Sequence, residues 1–241
     1  MKLAVRLTLG IAIAIACGAG GFLAYDRVDD SKSTLTPITA AQATPPPAEV
    51  TNAEPPAERE IVRTVPDVAL ADRAGTVRKL SEWQGQPVLI NFWATWCGPC
   101  RKEIPLLKSL RAARKADRLE VIGIAVDERE AVLKYAQEIG IDYPILIGEQ
   151  EGMQAANAFG VPLVFPFTVF ADRQGRIVTV KIGELHADEA DFILDQVREL
   201  DAGKAALPVV QEQISTKLGE LAAERARKAT PKAPATPANP A

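Results

Sequence analysis

Between positions 60 and 200 the chain alternates short unbroken apolar runs with stretches whose apolar residues recur at helical spacing. "PVLINFWA" (87–94) is a continuous apolar run, and "LEVIGIAVD" (119–127) is a second. Runs of this kind suit central strands buried on both faces. The segment from Gly98 to about Ala116 is helical in pattern. In "EREAVLKYAQEIG" (128–140), Ala131, Val132, Tyr135, Ala136 and Ile139 form one stripe, with Gly140 placed to end the helix. "YPILIG" (143–148) predicts a short extended piece and "EGMQAANAFG" (151–160) a further helix. "FPFTVFAD" and "RIVTVKIG" flank the turn "RQG" as an antiparallel hairpin, and "HADEADFILDQVREL" follows as a helix.

Upstream, "VPDVALADRAGTVRKLSEW" (65–83) predicts two short strands about a turn at Ala74–Gly75, then a helical turn. Strands alternating with helices and closing in a hairpin and helix point to an α/β sandwich around a mixed sheet. Downstream, Val210, Ile214, Leu218 and Leu221 predict an amphipathic helix over Pro208 to Lys228. Its apolar face can pack on its own domain or serve a partner, and the pattern does not separate the two.

The chain ends differ in character. Lys2 and Arg6 precede an apolar run from Leu7 to Tyr25, and Asp26, Asp29 and Asp30 follow it. At 1.5 Å per residue that run reaches about 28 Å, close to the thickness of a bilayer core. Cations before the run leave the remainder of the chain outside the cytoplasm. The expectation is an N-terminal membrane anchor over residues 1–25, with a cleaved signal near "ACGAG" as the alternative. Cys17 in "AIACG" loosely matches a lipoprotein processing site, but Ala14 and the apolar run beyond it favour a small residue within a membrane helix. Residues 26–59 are rich in Pro, Ala, Thr and Glu and predict an extended linker. The expected domain spans 60–200, and 201–241 form the C-terminal helix and a tail poor in core formers.

Composition narrows the chemistry. Among 241 residues the net charge is −3 with mixed signs, which gives no basis for nucleic-acid binding. One histidine and three cysteines cannot supply the two spaced ligand pairs of a typical zinc site, so neither metal nor other cofactor is expected. "NFWATWCGPCRKEIP" (91–105) holds the feature that remains, Cys97 and Cys100. The pair can be a structural clasp, half of a metal site or a redox couple. A disulfide enclosing two residues is a poor staple, because stabilisation grows with loop length. A thiol at a helix start is favoured as thiolate by unsatisfied N–H groups and the helix dipole. Lowering its pKa from about 8.5 to about 7 raises the thiolate fraction at neutral pH from roughly 3 per cent to roughly half. Pro99, just inside the helix, loses no hydrogen bond there and pre-organises the turn. Pro105 falls within the helix, where it removes a hydrogen bond.

This segment resembles the active-site motif of thioredoxin-like proteins, and specifically of membrane-anchored TlpA/ResA-like thiol–disulfide oxidoreductases. The resemblance covers residues 60 to 200 and includes the lead-in hairpin and the additional helix at 128–140. It implies a thioredoxin-like three-layer α/β fold with a central mixed sheet, an N-terminal β-hairpin extension and a central helical insertion. It also implies that Cys97 attacks the substrate disulfide and that Cys100 resolves the mixed disulfide. Trp96, Gly98 and Pro99 would form the rim around the pair, while Trp93 suits core packing. Pro166 resembles the family's cis-proline, with Phe165 turned toward substrate, although "GVPLVFPFT" carries one residue more than the common spacing and Pro162 is a rival. Asn91 stands where many thioredoxins have a carboxylate, and Glu103 matches a glutamate that can serve the resolving thiol in this family. The alternative for Glu103 is an exposed helix position. Arg101 and Lys102 are expected at the solvated surface.

The function so implied is reduction of protein disulfides at a bacterial inner membrane, on its periplasmic or external side, with cytochrome c maturation among the candidate pathways. Electrons would come from a transmembrane thiol donor of the CcdA or DsbD type. A redox-sensitive chaperone or a metal- or haem-handling module without turnover is the competing class, and a net oxidase uses the same residues in reverse. A thiol peroxidase wants a hydroxyl three residues before its cysteine, where this chain has Ala94.

Overall fold

The computed structural model describes residues 62–229. The predicted anchor, the linker and the end of the tail lie outside these residues. Among the described residues no helix is long and apolar enough to cross a membrane.

Strands β1 (Ala69–Asp72) and β2 (Val77–Lys79) form the expected antiparallel hairpin. Gly75 takes φ +86° in its turn, and Asp72 Oδ1 accepts from the N–H groups of Ala74 and Thr76. A 3₁₀ turn, Leu80–Trp83, leads to β3 (Val88–Trp93). The remaining strands are β4 (Glu120–Ala125), β5 (Ile145–Ile147), β6 (Phe167–Ala171) and β7 (Ile177–Ile182). The sheet order is β2-β1-β5-β4-β3-β6-β7. β3 runs parallel to β4 and antiparallel to β6, so the sheet is mixed and β3 lies within it.

Every residue of β3 is buried, and its side chains divide between two cores. Leu89 and Trp93 pack with α1 (Gly98–Ala113), α2 (Arg129–Glu138), α4 (Ala187–Asp201) and α5 (Leu207–Ala229). Val88, Ile90 and Phe92 pack on the opposite face with Leu80, Trp83 and α3 (Gln150–Ala158). Burial on both faces is why the strand shows no polar alternation. The three layers are those of a thioredoxin-like fold.

Local expectations hold with small differences. Gly140, at φ +62°, ends α2, and the Ile141 N–H reaches back to the Ala136 carbonyl at 2.9 Å. The first helix ends at Ala113 rather than near Ala116. The chain then tightens through a 3₁₀ turn, Lys115–Asp117, closed by Arg118 at φ 59°. No glycine or asparagine announces that left-handed position. α5 packs on its own domain: Val210 and Ile214 are fully buried, and Gln211 Nε2 donates to the Ile177 carbonyl at 3.2 Å.

Candidate active site

The C-terminal end of β3 delivers the chain to the cysteines. Cys97 is the N-cap of α1, and its Sγ accepts from the Cys100 N–H at 3.3 Å. The two are joined as a disulfide. Pro99 occupies the first turn, as anticipated for a helix start, and Pro105 lies within the helix. The two residues differ slightly in access: Cys97 is 6% exposed and Cys100 is 0% exposed. Gly98 and Pro99 are exposed beside them. Trp96 is 69% exposed while Trp93 is wholly buried, so the rim and core tryptophans are distinguished.

The turn before Cys97 is held from the neighbouring strand. Asp127 Oδ2 accepts from the Thr95 N–H at 2.8 Å and from its hydroxyl at 2.5 Å. Trp93 and Ala125 are register partners in the parallel β3–β4 pair, so Thr95 and Asp127 leave the sheet together, each two residues further on.

The Phe165–Pro166 bond is cis. Pro166 is buried and Phe165 half-buried, with the Phe165 ring 6.2 Å from that of Trp96 in an edge contact. Exposed Pro162, Leu163 and Val164 form the longer loop leading into this bond.

Glu103 lies one turn beyond Cys100 on α1 and is only 2% exposed, which removes the surface reading. Its Oε1 accepts from Asn91 Nδ2 at 2.7 Å, and its Oε2 from the Leu185 N–H at 2.8 Å. Asn91 Nδ2 also donates to Thr168 Oγ1 at 3.0 Å. Burial pushes the Glu103 carboxyl up to about 7, although the bonds from Leu185 and Asn91 and the charge of Lys181 draw it back. Glu184 adds to the rise. A carboxyl titrating near neutrality is suited to exchanging protons with a thiol.

Arg101 and Lys102 are exposed. Arg101 is also placed against α2, its guanidinium 5.2 Å over the Tyr135 ring and its Nε donating to the phenol oxygen at 3.3 Å. Among the described residues no group of His, Cys, Asp and Glu is arranged to hold a metal.

The AhpC/TSA family profile matches residues 61–180. Over 137 residues the chain is 33% identical to the thiol-disulfide oxidoreductase ResA of Geobacillus kaustophilus, covering 56% of this chain and 76% of that one. The chain belongs to the ResA-like thiol–disulfide oxidoreductases. A ResA of Bacillus cereus is 26% identical over 189 residues, covering 78% of this chain and 93% of the relative. A crystal structure of a DsbE-type thiol:disulfide interchange protein from Chlorobium tepidum is similar at 29% identity and a TM-score of 0.50, over 56% of this chain and 92% of that one.

As a ResA-like enzyme the protein exchanges thiols and disulfides through a cysteine pair of this spacing. Sequence reasoning treated Asn91 only as a lost carboxylate. In the structure it is the residue that orients Glu103 and ties it to β6 through Thr168. Asp127 was also missed, although its signal was available: it ends the second buried run at the height where Thr95 ends the first. Leu185, which bonds Glu103 from beyond β7, and Lys181 of β7, whose charge acts on it, left no local signal.

Proposed function

We propose that this ResA-like oxidoreductase reduces protein disulfides outside the cytoplasm, with Cys97 attacking, Cys100 resolving and Glu103 exchanging the proton of Cys100. The observation that carries this reading is the asymmetry of the pair. Cys97 caps the helix and keeps a little exposure beside exposed Trp96, Gly98 and Pro99, whereas Cys100 is sealed and is followed one turn later by a buried carboxyl raised to about 7.

The reduced enzyme starts as a dithiol. The Cys97 thiolate attacks one sulfur of the substrate disulfide, forming a mixed disulfide and displacing a substrate thiolate, which takes a proton from water. The Cys100 thiol then gives its proton to the Glu103 carboxylate and attacks Cys97 Sγ. That step releases the second substrate thiolate and forms the Cys97–Cys100 disulfide, the state seen here. Two electrons have passed to the substrate. The backbone beside the cis bond at Phe165 and the rim of Trp96, Gly98 and Pro99 receive the substrate chain.

An enzyme that spends two electrons per turnover in an oxidising compartment needs a supply from across the membrane. The apolar run at 7–25 supports an inner-membrane anchor with the domain on the periplasmic or external face. A transmembrane thiol carrier of the CcdA or DsbD type fits as donor, and apocytochrome c is a candidate substrate. The peroxidase alternative lacks its hydroxyl, since buried Ala94 stands three residues before Cys97. The test is the reduction potential of Cys97–Cys100 in the full-length protein, equilibrated against dithiothreitol. A value well below about −200 mV fits a reductase, and one near −120 mV reverses the direction.

A further inference from the structure

We propose that the C-terminal helix α5 acts on the active site through a charge relay, Arg225–Glu189–Lys181, that fixes the backbone donor of Glu103. Lys181 is thereby a positioning residue for proton exchange at Cys100. The inference rests on the assignment of Glu103 as the proton exchanger.

The relay can be followed atom by atom. Arg225 of α5 donates through Nη1 to Glu189 Oε1 at 2.7 Å and through Nη2 to Asp188. Glu189, in the first turn of α4, is 2% exposed. Its other oxygen accepts from the His186 N–H at 3.1 Å and lies 3.6 Å from Lys181 Nζ. Lys181 in turn donates to the carbonyls of Ile182 and Glu184, each at 3.1 Å. These bonds pin both ends of the segment 182–186. Leu185, within it, supplies the N–H that holds Glu103 Oε2.

Charge and geometry act in the same sense. A half-buried ammonium held by a buried carboxylate stays in one place, and the Arg225 guanidinium balances that carboxylate from its far side. The groups facing Glu103 are Cys100 on its own helix, Asn91 from β3, Thr168 from β6, Lys181 and Glu184 from the β7 side, and Tyr143 from the approach to β5. Of these, Lys181 is the one cation whose charge favours the Glu103 carboxylate. Loss of Lys181 removes that charge and frees the Leu185 segment. Loss of Arg225 leaves the negative charge of Glu189 to Lys181 alone and loosens the same segment. Both changes favour the protonated form of Glu103.

The test is the ¹³C titration of the Glu103 side-chain carboxyl in the oxidised full-length protein, assigned by its absence in Glu103→Gln. Lys181→Met should raise the midpoint by about half a unit, roughly threefold in the protonation ratio at fixed pH. Arg225→Met should raise it in the same direction by less, while Lys181→Arg and Arg225→Lys restore it. Arg225 is partly exposed, so its variant keeps the proposal testable if Lys181→Met fails to fold. An unmoved midpoint in either folded Met variant overturns the relay. A pH–rate profile unchanged by Glu103→Gln would instead overturn the proton role of Glu103, whatever the relay does.

Discussion

Leu185 donates its backbone N–H to Glu103 Oε2 at 2.8 Å, across 82 positions of sequence. The bond joins the helix that begins at the cysteines to the segment after the last strand. It gives the Glu103 carboxylate a fixed donor inside the core, where an unbonded charge would be prohibitive.

The first prediction concerns pH. Burial raises the Glu103 carboxyl from the ordinary 4.5 to about 7. Between these values the folded state keeps a proton that the unfolded chain has lost, so stability falls as pH rises through this window. Above pH 7 the cost is fully expressed and amounts to about 3 kcal/mol. Glu103→Gln removes this dependence. The stability difference between variant and parent, measured by urea unfolding, should move toward the variant from pH 4.5 to pH 8. In turnover, the variant should also lose the inflection near neutrality; parallel curves for the two proteins in both assays would contradict the assignment.

The second prediction separates the two cysteines. In the Cys100→Ser variant Cys97 keeps its position at the helix N-terminus, but no thiol remains to cleave the mixed disulfide. A substrate adduct should accumulate and appear on non-reducing gels. Cys97→Ser leaves only the sealed Cys100 and should trap little. Adducts formed mainly through Cys100 would reverse the roles.

Much of this arrangement was legible in the sequence. The unbroken apolar run at 88–93 announced a central strand, because a residue with cores on both faces has no polar side to show. The burial of Glu103 was also implicit: Cys100, Glu103, Ile104 and Leu107 share one helical face, so the carboxylate stands on an apolar stripe. Its partners were not legible. Leu185 and Lys181 come to it through the last strand and the segment after it, and Arg225 reaches Glu189 through the docking of α5; no periodicity near position 103 records either. The destination of α5 was equally hidden, since its stripe states only that one face must be covered.

A third prediction concerns the approach to Cys97. Asp127 binds both the N–H and the hydroxyl of Thr95, two residues before the nucleophile. Asp127→Ala leaves both donors without this partner in a partly buried turn, a loss of about 1–3 kcal/mol. Because the turn also sets where Cys97 meets the helix N-terminus, the reactivity of the reduced Cys97 thiol should fall. Iodoacetamide alkylation of the reduced variant, followed across pH, reads that change directly. A variant with lower stability and an unchanged alkylation profile would show that Asp127 serves the fold alone.

The last prediction tests how α5 is held. Ile214 is wholly buried in the core that also contains Ile193, Val197 and Val210, and it lies on the face of α5 that meets α4. Ile214→Ala removes buried methyl and methylene groups and leaves a cavity that the packed helices fill only in part, at a cost of about 2–5 kcal/mol. Val209 is 48% exposed on the same helix, so Val209→Ala should change stability by no more than about 0.5 kcal/mol. Urea unfolding of the two variants beside the parent measures both. Equal, small effects would mean that α5 contributes little to the core, and its hold on Glu189 through Arg225 would then be too weak to matter at the active site.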